Sequence, residues 1–338
     1  MGAELYTCAK CGEKHFAYHS CNHKACPQCG KADTVKWVER ELNKRVPGIP
    51  YYMVNFTLPA EFRPLFLGQD AKKSYDAFFT ASSKALSQVL SHPKWLGASV
   101  NGFTGVLHTW NQQLLFHPHI HYVVPGAGLD LKGNGVVAKN DEFLVPLSTL
   151  RKAFVQCWKE QFKRFKWKID SVVWRKTWGV YIKPFGTGEN VIKYLGAYVC
   201  RTAIGDRRIQ EMLPDTVRFT WKDRSDGNKT KILTLEGGEF VARYMRHVLP
   251  QGMRSIRYYG FCHPAAVKKR QRVHAVCGRP GLNVETPSSI KSFSNYTCGK
   301  CGKPMEHTHR FRRDGKIQVL HPRGPPGLET ILKETAGT

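Results

Sequence analysis

The stretch "HPHIHYVVPG" (residues 117–126) decides the fold prediction. It has the length and composition of a strand and ends in a Pro-Gly pair, which is typical of a turn. Side chains alternate across a strand, so His119 and His121 share one face and Ile120 points to the other. Two imidazoles on one face can bind a single divalent metal ion. The preceding "GFTGVLHTW" (102–110) is typical of a second strand, joined to the first through "NQQLLF".

The segments around this pair of strands predict an alternating order of elements. The further predicted elements are a strand at 51–58, a helix at 71–90, a helix at 147–168, a strand at 178–185 and a helix at 188–203. The order β-α-β-β-α-β-α is the split βαβ plan of ferredoxin-like sheets. We therefore predict an α+β fold in which an antiparallel ferredoxin-like sheet has 117–126 as a central strand. A small N-terminal zinc-binding module accompanies it.

The remainder of the chain predicts smaller additions to this sheet. After residue 215 we expect a hairpin that turns at Asp226-Gly227, then an amphipathic helix and a basic run. The predicted segments are a zinc-binding domain at 1–45, a catalytic domain at 50–210, an extension with the hairpin and basic segment at 211–284, and a tail with a candidate second zinc knuckle at 285–338.

A metal held by His119 and His121 needs a third ligand from the protein. If the turn between the two strands centres near Gln113, antiparallel pairing places His108 opposite His119, on the same face. His108 is then either a ligand or a hydrogen-bonded histidine that supports the site. Asn190, at the start of the helix predicted at 188–203, is the alternative ligand.

Tyr194 and Tyr198 are four residues apart in that helix and lie on one face of it. Either both rings pack in the core, or both hydroxyls face the metal site. A tyrosine oxygen beside a bound metal can attack a phosphodiester, which gives a 5′-phosphotyrosine and a free 3′-OH. The bond energy is conserved, so the reaction requires no ATP. The sequence also holds no GxxxxGK[ST] motif of a P-loop motor.

The charge of the chain indicates a polyanionic partner. Lys and Arg total 52 and Asp and Glu total 26, which gives a net charge of +26. Nucleic acid is the first candidate, because cationic side chains bind by neutralising phosphates. The apolar content of 41% excludes a disordered chain. The residues expected to contact DNA are Arg201, Lys268, Lys269, Arg270 and Arg272.

The cysteines near the N-terminus indicate structural zinc. Cys8-x2-Cys11 and Cys26-x2-Cys29 have zinc-knuckle spacing, and four thiolates around one Zn²⁺ is the simplest interpretation. Cys21 is left over, so a mixed Cys/His set or a second zinc stays open. We expect the first 36 residues or so to need this metal to fold, because they are short and polar.

A second CxxC pair lies near the C-terminus. Cys298 and Cys301, with His307 and His309 close by, could form another zinc site. We therefore expect two kinds of metal. Zn²⁺ is expected on thiolates as a structural ion, and Mg²⁺ or Mn²⁺ on the histidine pair and phosphate oxygens as the catalytic ion.

Several motifs resemble one family of mobile-element enzymes. "HPHIHYVVPGAG" and "YLGAYVCR" resemble the HUH (His-hydrophobic-His) and two-tyrosine motifs of rolling-circle insertion-sequence transposases of the IS91 type. "CAKCG…HSCNHKACPQCG" resembles their zinc-binding domain, and "IRYYGF" resembles a late segment of the same proteins. The likeness runs in patches from about residue 8 to about 262. It implies that His119 and His121 bind the catalytic metal and that Tyr194 and Tyr198 are the nucleophiles.

The resemblance implies a transposase that mobilises DNA through single-stranded intermediates. Its expected partners are single-stranded DNA at the element ends and host helicase or replication proteins. No long apolar span or leader is evident, so we expect a cytoplasmic, nucleoid-associated prokaryotic protein without a membrane partner. A plasmid replication initiator or relaxase with the same chemistry is the nearest alternative. A non-catalytic zinc-dependent nucleic-acid-binding regulator is another, and a strand-cleavage assay separates them.

Overall fold

A computed structural model describes most of the chain, namely residues 2–19, 30–139, 141–186, 192, 196, 203–205, 208–278, 298–303, 305–312 and 315–319. The chain divides into two compact units: residues 1–23 with 283–338, and residues 24–282. This division differs from the predicted boundaries. The two ends of the chain share one unit instead of forming an N-terminal domain and a separate tail, and the predicted catalytic domain and extension share the other.

The elements are numbered in chain order. The strands are β1 (Ala3–Cys8), β2 (Lys14–Tyr18), β3 (Tyr51–Thr57), β4 (Gly102–Trp110), β5 (Phe116–Pro125), β6 (Ala127–Leu129), β7 (Gly135–Val137), β8 (Gly179–Pro184), β9 (Ile209–Met212), β10 (Thr216–Asp223), β11 (Lys229–Glu236), β12 (Ile256–Gly260), β13 (Met305–Phe311) and β14 (Ile317–Val319). The α-helices are α1 (Gly30–Asn43), α2 (Ala71–Ser91), α3 (Leu147–Arg164), α4 (Gly237–Met245) and α5 (Val267–Cys277), with 3₁₀ helices at Ala60–Phe66 and Ser171–Arg175.

The first unit is built on a four-stranded antiparallel sheet in the order β14-β13-β1-β2. β1 pairs with β2 on one side and with β13 on the other, so both ends of the chain enter one sheet. The hydroxyls of Thr7 and Thr308 lie 3.1 Å apart across this pairing and are buried. Neither segment shows a strand pattern in the sequence, because both are short and polar.

The second unit is built on a five-stranded sheet in the order β12-β4-β5-β3-β8, with every neighbouring pair antiparallel. β5 lies in the centre, as predicted. His108 of β4 is opposite His119 of β5, which confirms the predicted register. β12 occupies the edge beside β4, and the sequence analysis did not identify it as a strand.

One face of this sheet packs against α2, α3 and both 3₁₀ helices. The core there is dominated by aromatic side chains, among them Phe56, Phe154 and Trp158. Gly105 of β4 leaves room for the ring of Tyr122, since a Cβ at residue 105 would lie 2.6 Å from a ring carbon. Burial of such side chains stabilises the fold by roughly 1.5–3 kcal/mol each. The predicted helix at 147–168 ends at Arg164, shortly before Lys166 adopts a φ of 54°.

The opposite face carries the histidines and is covered in part by α1 and α5. Trp37 of α1 is 2% exposed, and its indole N–H donates to the Tyr258 hydroxyl over 3.0 Å. α1 therefore contributes to the core of the second unit, although it lies within the zinc-binding domain predicted at 1–45. No described helix is long and apolar enough to cross a membrane.

The predicted hairpin is confirmed as β10 and β11, joined by a turn that contains Asp226 and Gly227. With β9 and α4 it surrounds the turn between β4 and β5. Arg243 donates to the Gln113 carbonyl over 3.2 Å, and Leu114 is fully buried. This part of the chain therefore holds the connection between the two histidine-bearing strands.

His247 follows α4, and its protonation makes the stability of this packing depend on pH. Its ring contacts the Leu114 carbonyl at 3.0 Å and the Thr109 hydroxyl at 3.3 Å. Burial lowers the pKa of His247 to about 4, although the hydrogen bond to Leu114 acts in the other direction. The ordinary pKa in an unfolded chain is about 6.5. The unfolded chain therefore binds the proton more readily, and protonation favours unfolding as the pH falls from about 6.5 to about 4.

We expect His247 to contribute up to about 1.4 kcal/mol per pH unit to the loss of stability over this range. His247→Gln retains a donor for Leu114 but does not titrate, so its free energy of unfolding should depend less steeply on pH. Urea unfolding between pH 4.5 and 7, with chelator present, measures both slopes. Identical slopes for the two proteins would show that His247 does not titrate as described.

Candidate functional site

Three histidines meet at the end of the five-stranded sheet next to the β4–β5 turn. His108, His119 and His121 each offer a ring nitrogen, and these nitrogens lie within 4.8 Å of one another. His108 and His121 are buried. The structure thus brings the predicted pair together with one of its two candidate third ligands. Asn190, the other candidate, lies outside the described residues.

Burial keeps the rings of His119 and His121 neutral, so that each has a nitrogen lone pair available for a metal ion. The His119 Nδ1–H donates to the His117 carbonyl over 2.7 Å, which leaves Nε2 of the neutral ring unprotonated. Burial lowers the pKa of His119 to about 4 and lowers that of His121 well below its usual value. Both rings are therefore neutral near pH 7, as metal binding requires.

An unsatisfied atom supports the presence of a ligand at this cluster. Nδ1 of His121 is buried and has no hydrogen-bond partner in the described part of the chain. Buried polar atoms in native proteins are nearly always paired, so such an atom calls for a partner. Three converging neutral imidazoles fit a divalent metal ion, and imidazole suits transition ions better than it suits Mg²⁺.

Asn55 on β3 and Tyr181 on β8 extend the site, and neither was predicted from the sequence. Asn55 pairs with His121 and lies on the same face, and its buried Oδ1 makes no hydrogen bond with any described residue. Tyr181 pairs with Asn55 on the far side and is 55% exposed. A polar residue in the middle of the apolar strand "YYMVNFTL" was the available signal for Asn55.

Arg224, at the tip of the β10–β11 hairpin, brings a positive charge to the cluster. Burial and the adjacent histidines have the larger effects, and the Arg224 charge further lowers the pKa of both His119 and His121. Arg224 is itself exposed. A guanidinium in this place can neutralise a phosphate bound at the histidines. Sequence reasoning could not identify it, because the hairpin reaches the site only through tertiary packing.

The predicted nucleophiles Tyr194 and Tyr198, together with Arg201, lie outside the described residues. Two residues of the same segment are described. Ile192 and Gly196 are helical and buried, which agrees with the predicted helix at these two positions. A Gly on the buried side of a helix permits close packing of backbone against backbone.

The described residues on either side of the tyrosine segment lie toward opposite ends of β5. Ile192 belongs to a buried cluster with Val123, which follows the histidines along β5. Ala203 and Ile204 belong to a cluster with Leu114, which precedes them at the β4–β5 turn. His119 and His121 lie between these two anchor points along the strand.

The first unit contains a second group of side chains that could bind a metal ion: Cys8, Cys11, Cys298 and Cys301. Sulfur atoms of the four cysteines lie within 4.8 Å of one another, with separations of 3.5 Å for Cys8–Cys301 and for Cys11–Cys298. Four thiolates at this spacing fit a tetrahedral Zn²⁺. The predicted set differs in its second half, since Cys298 and Cys301 stand where Cys26 and Cys29 were expected.

Two matched turns build this cluster. "CAKCG" and "CGKCG" each close with a Gly N–H donating to the first Cys carbonyl, at 2.9 Å for Gly12 and 2.8 Å for Gly302. Both glycines have a positive φ, 70° and 68°, which is why glycine is required there. Backbone N–H groups of Cys11 and its neighbour help to lower the pKa of Cys8 to about 7, toward the thiolate that zinc binds.

His307 and His309 do not join this cluster. The His307 ring makes a hydrogen bond with the Glu4 carboxylate and stacks on Tyr6 with ring centroids 4.8 Å apart, and His309 is buried in β13. The prediction that these histidines complete a site with Cys298 and Cys301 is therefore wrong. The remaining predicted zinc residues lie outside the described residues: Cys21, Cys26 and Cys29.

The predicted basic run lies on α5. Lys268 and Lys269 are exposed, Arg270 donates to the His263 carbonyl over 3.3 Å, and Arg272 donates to the Gly133 carbonyl over 3.3 Å. The two arginines are thus used in part to position the helix, and the two lysines are open to solvent.

Comparisons with known families agree with these two centres. Residues 102–271 match the family described as "Putative transposase", and this range includes all three clustered histidines. Residues 1–58 match the family described as "Transposase zinc-binding domain", which includes Cys8 and Cys11. No solved structure matches the chain.

Two curated proteins are similar over most of their length. "Putative transposase y4qJ" of Sinorhizobium fredii (strain NBRC 101917 / NGR234) is 32% identical over 318 residues, covering 88% of this chain and 78% of the relative. "Transposase for insertion sequence element IS801" of Pseudomonas savastanoi pv. phaseolicola is 28% identical over 343 residues, covering 91% of this chain and 80% of the relative. The chain belongs to this transposase family, and it carries the zinc-binding domain of the IS91 type.

Proposed function

We propose that the chain is an HUH-class endonuclease and strand transferase. It cuts single-stranded DNA through a 5′-phosphotyrosine link during rolling-circle transposition. The observation that carries this proposal is the cluster of His108, His119 and His121 on adjacent antiparallel strands. The strand order supports the ferredoxin-like plan, in which the first and third strands lie between the second and fourth.

The histidines would hold the catalytic ion, Mn²⁺ or Mg²⁺, which when bound supplies Lewis-acid stabilisation of charge on the scissile phosphate. The nitrogen-rich donor set favours Mn²⁺. His108 and His121 are fixed by burial, and His119 is oriented by its hydrogen bond to His117. A rigid donor set holds the phosphate in one position, so attack can proceed in line.

The protein's own groups would carry the bond changes. The phenol oxygen of Tyr194 or Tyr198 forms a bond to phosphorus, and the bond from phosphorus to the 3′ oxygen breaks. The phenol proton is lost, and the departing 3′ oxygen gains one. One phosphoester replaces another, so no energy source is consumed. A second tyrosine permits a second transfer before the first DNA end is released.

Arg224 and Asn55 would support this step. The exposed guanidinium of Arg224 can pair with a phosphate oxygen and stabilise the charge that grows during attack. The unpaired Oδ1 of Asn55, beside His121, can accept a hydrogen bond from a water or complete the donor set. Strand pairing fixes the backbone of Asn55 opposite His121, and Arg224 is carried at the tip of the β10–β11 hairpin.

The proposed substrate is single-stranded DNA at the ends of the element. The chain carries no P-loop sequence, so a host helicase or replication proteins would supply the single strand. A plasmid replication initiator or relaxase would use the same chemistry. Family membership favours transposition over both.

The tyrosine assignment gives the direct test. Tyr194→Phe with Tyr198→Phe removes both phenol oxygens, and we expect no covalent protein–DNA adduct on a cognate single strand in Mn²⁺. The single variants should each retain adduct formation on the remaining tyrosine. Denaturing gel electrophoresis of labelled oligonucleotide measures the adduct, and Tyr6→Phe, in the first unit, serves as the control. An adduct that persists at the wild-type level in the double variant would overturn the assignment.

A further inference from the structure

A groove of about 1080 Å³ lies at the β12 edge of the five-stranded sheet. One wall is α2, the other is β12 with the segment that leads into it, and Lys269 of α5 also lines it. None of the three clustered histidines lines this groove. Small-molecule pockets usually have volumes of about 300–1000 Å³, so this groove is large for such a ligand.

The groove is strongly cationic. Among the described residues that line it, Asp76 is the only carboxylate, and it pairs with Arg257. Lys84 pairs with Glu160 outside the groove over 2.6 Å. The three remaining cations form no ion pair within the described part of the chain: Lys72, Arg254 and Lys269. A wall with three uncompensated charges favours a ligand with several negative charges.

The rest of the lining has the chemistry of a nucleic-acid surface. Thr80, Ser83 and Ser87 line α2, and their hydroxyls donate within the protein, so they leave only oxygen lone pairs to a ligand. Tyr258 and Tyr259 are half-buried in the opposite wall, where Lys44 lies over the ring of Tyr258 and Phe103 packs against that of Tyr259. The cations would contact phosphates, and the part of each tyrosine ring that remains exposed could stack on an unpaired base. The α2 wall extends from Lys72 to Ser87, a length of about 22 Å at 1.5 Å per helical residue. That length suits an extended chain of nucleotides.

The groove lies along the sheet edge next to β4, which carries His108, although its α2 wall is on the face opposite to the histidines. Ile256 pairs with Val106, and the Leu107 N–H donates to the Ser255 carbonyl over 2.8 Å. Continuing this register by one residue places Arg254 level with His108. One end of the groove therefore lies at the edge of the strand that carries a proposed metal ligand.

We infer that this groove binds a segment of single-stranded DNA that flanks the phosphodiester cut at the histidine cluster. The inference rests on the proposed function for the identity of the strand. A single strand suits the groove better than a duplex, because only an unpaired base could stack on the exposed part of Tyr258 or Tyr259. The groove thus provides affinity for the strand at a distance from the reacting bond.

The test compares two triple variants that remove equal charge. The groove triple is Lys72→Gln, Arg254→Gln and Lys269→Gln. The control triple removes exposed lysines on and after α3: Lys152→Gln, Lys163→Gln and Lys168→Gln. Binding of a fluorescent single-stranded 20-mer is measured by anisotropy in chelator, so that no cleavage occurs. For the groove triple we expect about tenfold weaker binding, and a slope of log affinity against log salt that is lower by about 2.

Equal affinities and slopes for the two triples would overturn the proposal, and so would an equal loss of binding to a duplex 20-mer. A second measurement does not depend on variants. A strand that carries photoreactive uracil should cross-link to the wild-type peptide containing residues 252–260, and a cross-link that avoids this peptide contradicts the proposal. Neither assay involves cleavage, so a failure here is distinct from a failure of the tyrosine chemistry.

Discussion

Replacing His119 and His121 with Ala should lower DNA cleavage by about a thousandfold or more, because Lewis-acid stabilisation of a phosphoryl group is worth several kcal/mol and 1.36 kcal/mol is a factor of ten in rate. The double variant removes two of the three ring nitrogens that lie within 4.8 Å of one another. Binding of single-stranded DNA should remain within a few-fold of wild type, because it depends chiefly on Lys and Arg.

His92→Ala is the matched control, since His92 is exposed after α2 and is absent from the cluster. Its cleavage rate should equal that of the wild type. Cleavage by the wild type should also stop in chelator and return when Mn²⁺ is added. A His119/His121 variant that cuts at the wild-type rate would show that the cluster is structural only.

Replacing Cys298 and Cys301 with Ser should remove one zinc ion per chain and unfold the first unit. The apparent binding free energy of structural zinc is about 10–16 kcal/mol, far more than a four-stranded sheet of this size supplies by itself. The sheet of 24–282 has its own core and should remain folded. Elemental analysis of purified protein measures the zinc, and proteolysis followed by mass spectrometry shows which unit is lost.

Measuring zinc in this variant distinguishes two possible partners of Cys8 and Cys11, namely Cys298 with Cys301 and Cys26 with Cys29. If Cys8 and Cys11 shared their zinc with Cys26 and Cys29, the Cys298/Cys301 variant would retain that ion. Cys157→Ser with Cys277→Ser removes two cysteines from the second unit and should leave the zinc content unchanged. Unchanged zinc in the Cys298/Cys301 variant would contradict the four-thiolate cluster.

The pairing of His108 with His119 could be predicted from the sequence, because it depends only on the strand repeat and on the short turn between the two strands. A strand repeats every two residues, and a short turn makes the pairing nearly symmetric about its centre. The position of Gln113 therefore placed His108 opposite His119, as the structure has it. The same logic identified β5 as the central strand, because the order of elements determined the sheet.

The complete set of cysteine ligands in the first unit could not be predicted from the sequence, because it combines residues from the two ends of the chain. Cys8 and Cys298 are separated by almost the whole chain, and the spacing within each CxxC pair carries no information about its partner. The packing of Trp37 in the core of the second unit is likewise a tertiary contact, which the periodicity of α1 does not reveal.

β12 and the groove beside it were missed because "IRYYG" has no alternation of polar and apolar residues. All five residues are half-buried or exposed, as suits an edge strand, and such a segment is not distinguished from a loop by its composition. Strand pairing places Asn55 beside His121, and packing of the β10–β11 hairpin brings the charge of Arg224 to the histidines. The sequence around each of these two residues indicates neither contact.

The central claim is that a tyrosine of this chain becomes covalently joined to DNA beside the three histidines. The most direct measurement is peptide mapping by mass spectrometry after incubation of the full chain with single-stranded DNA from an element end and Mn²⁺. We expect a 5′-phosphonucleotide on Tyr194 or Tyr198, and none after incubation in chelator. A nucleotide on any other residue, or cleaved DNA without a covalently modified tyrosine, would contradict it.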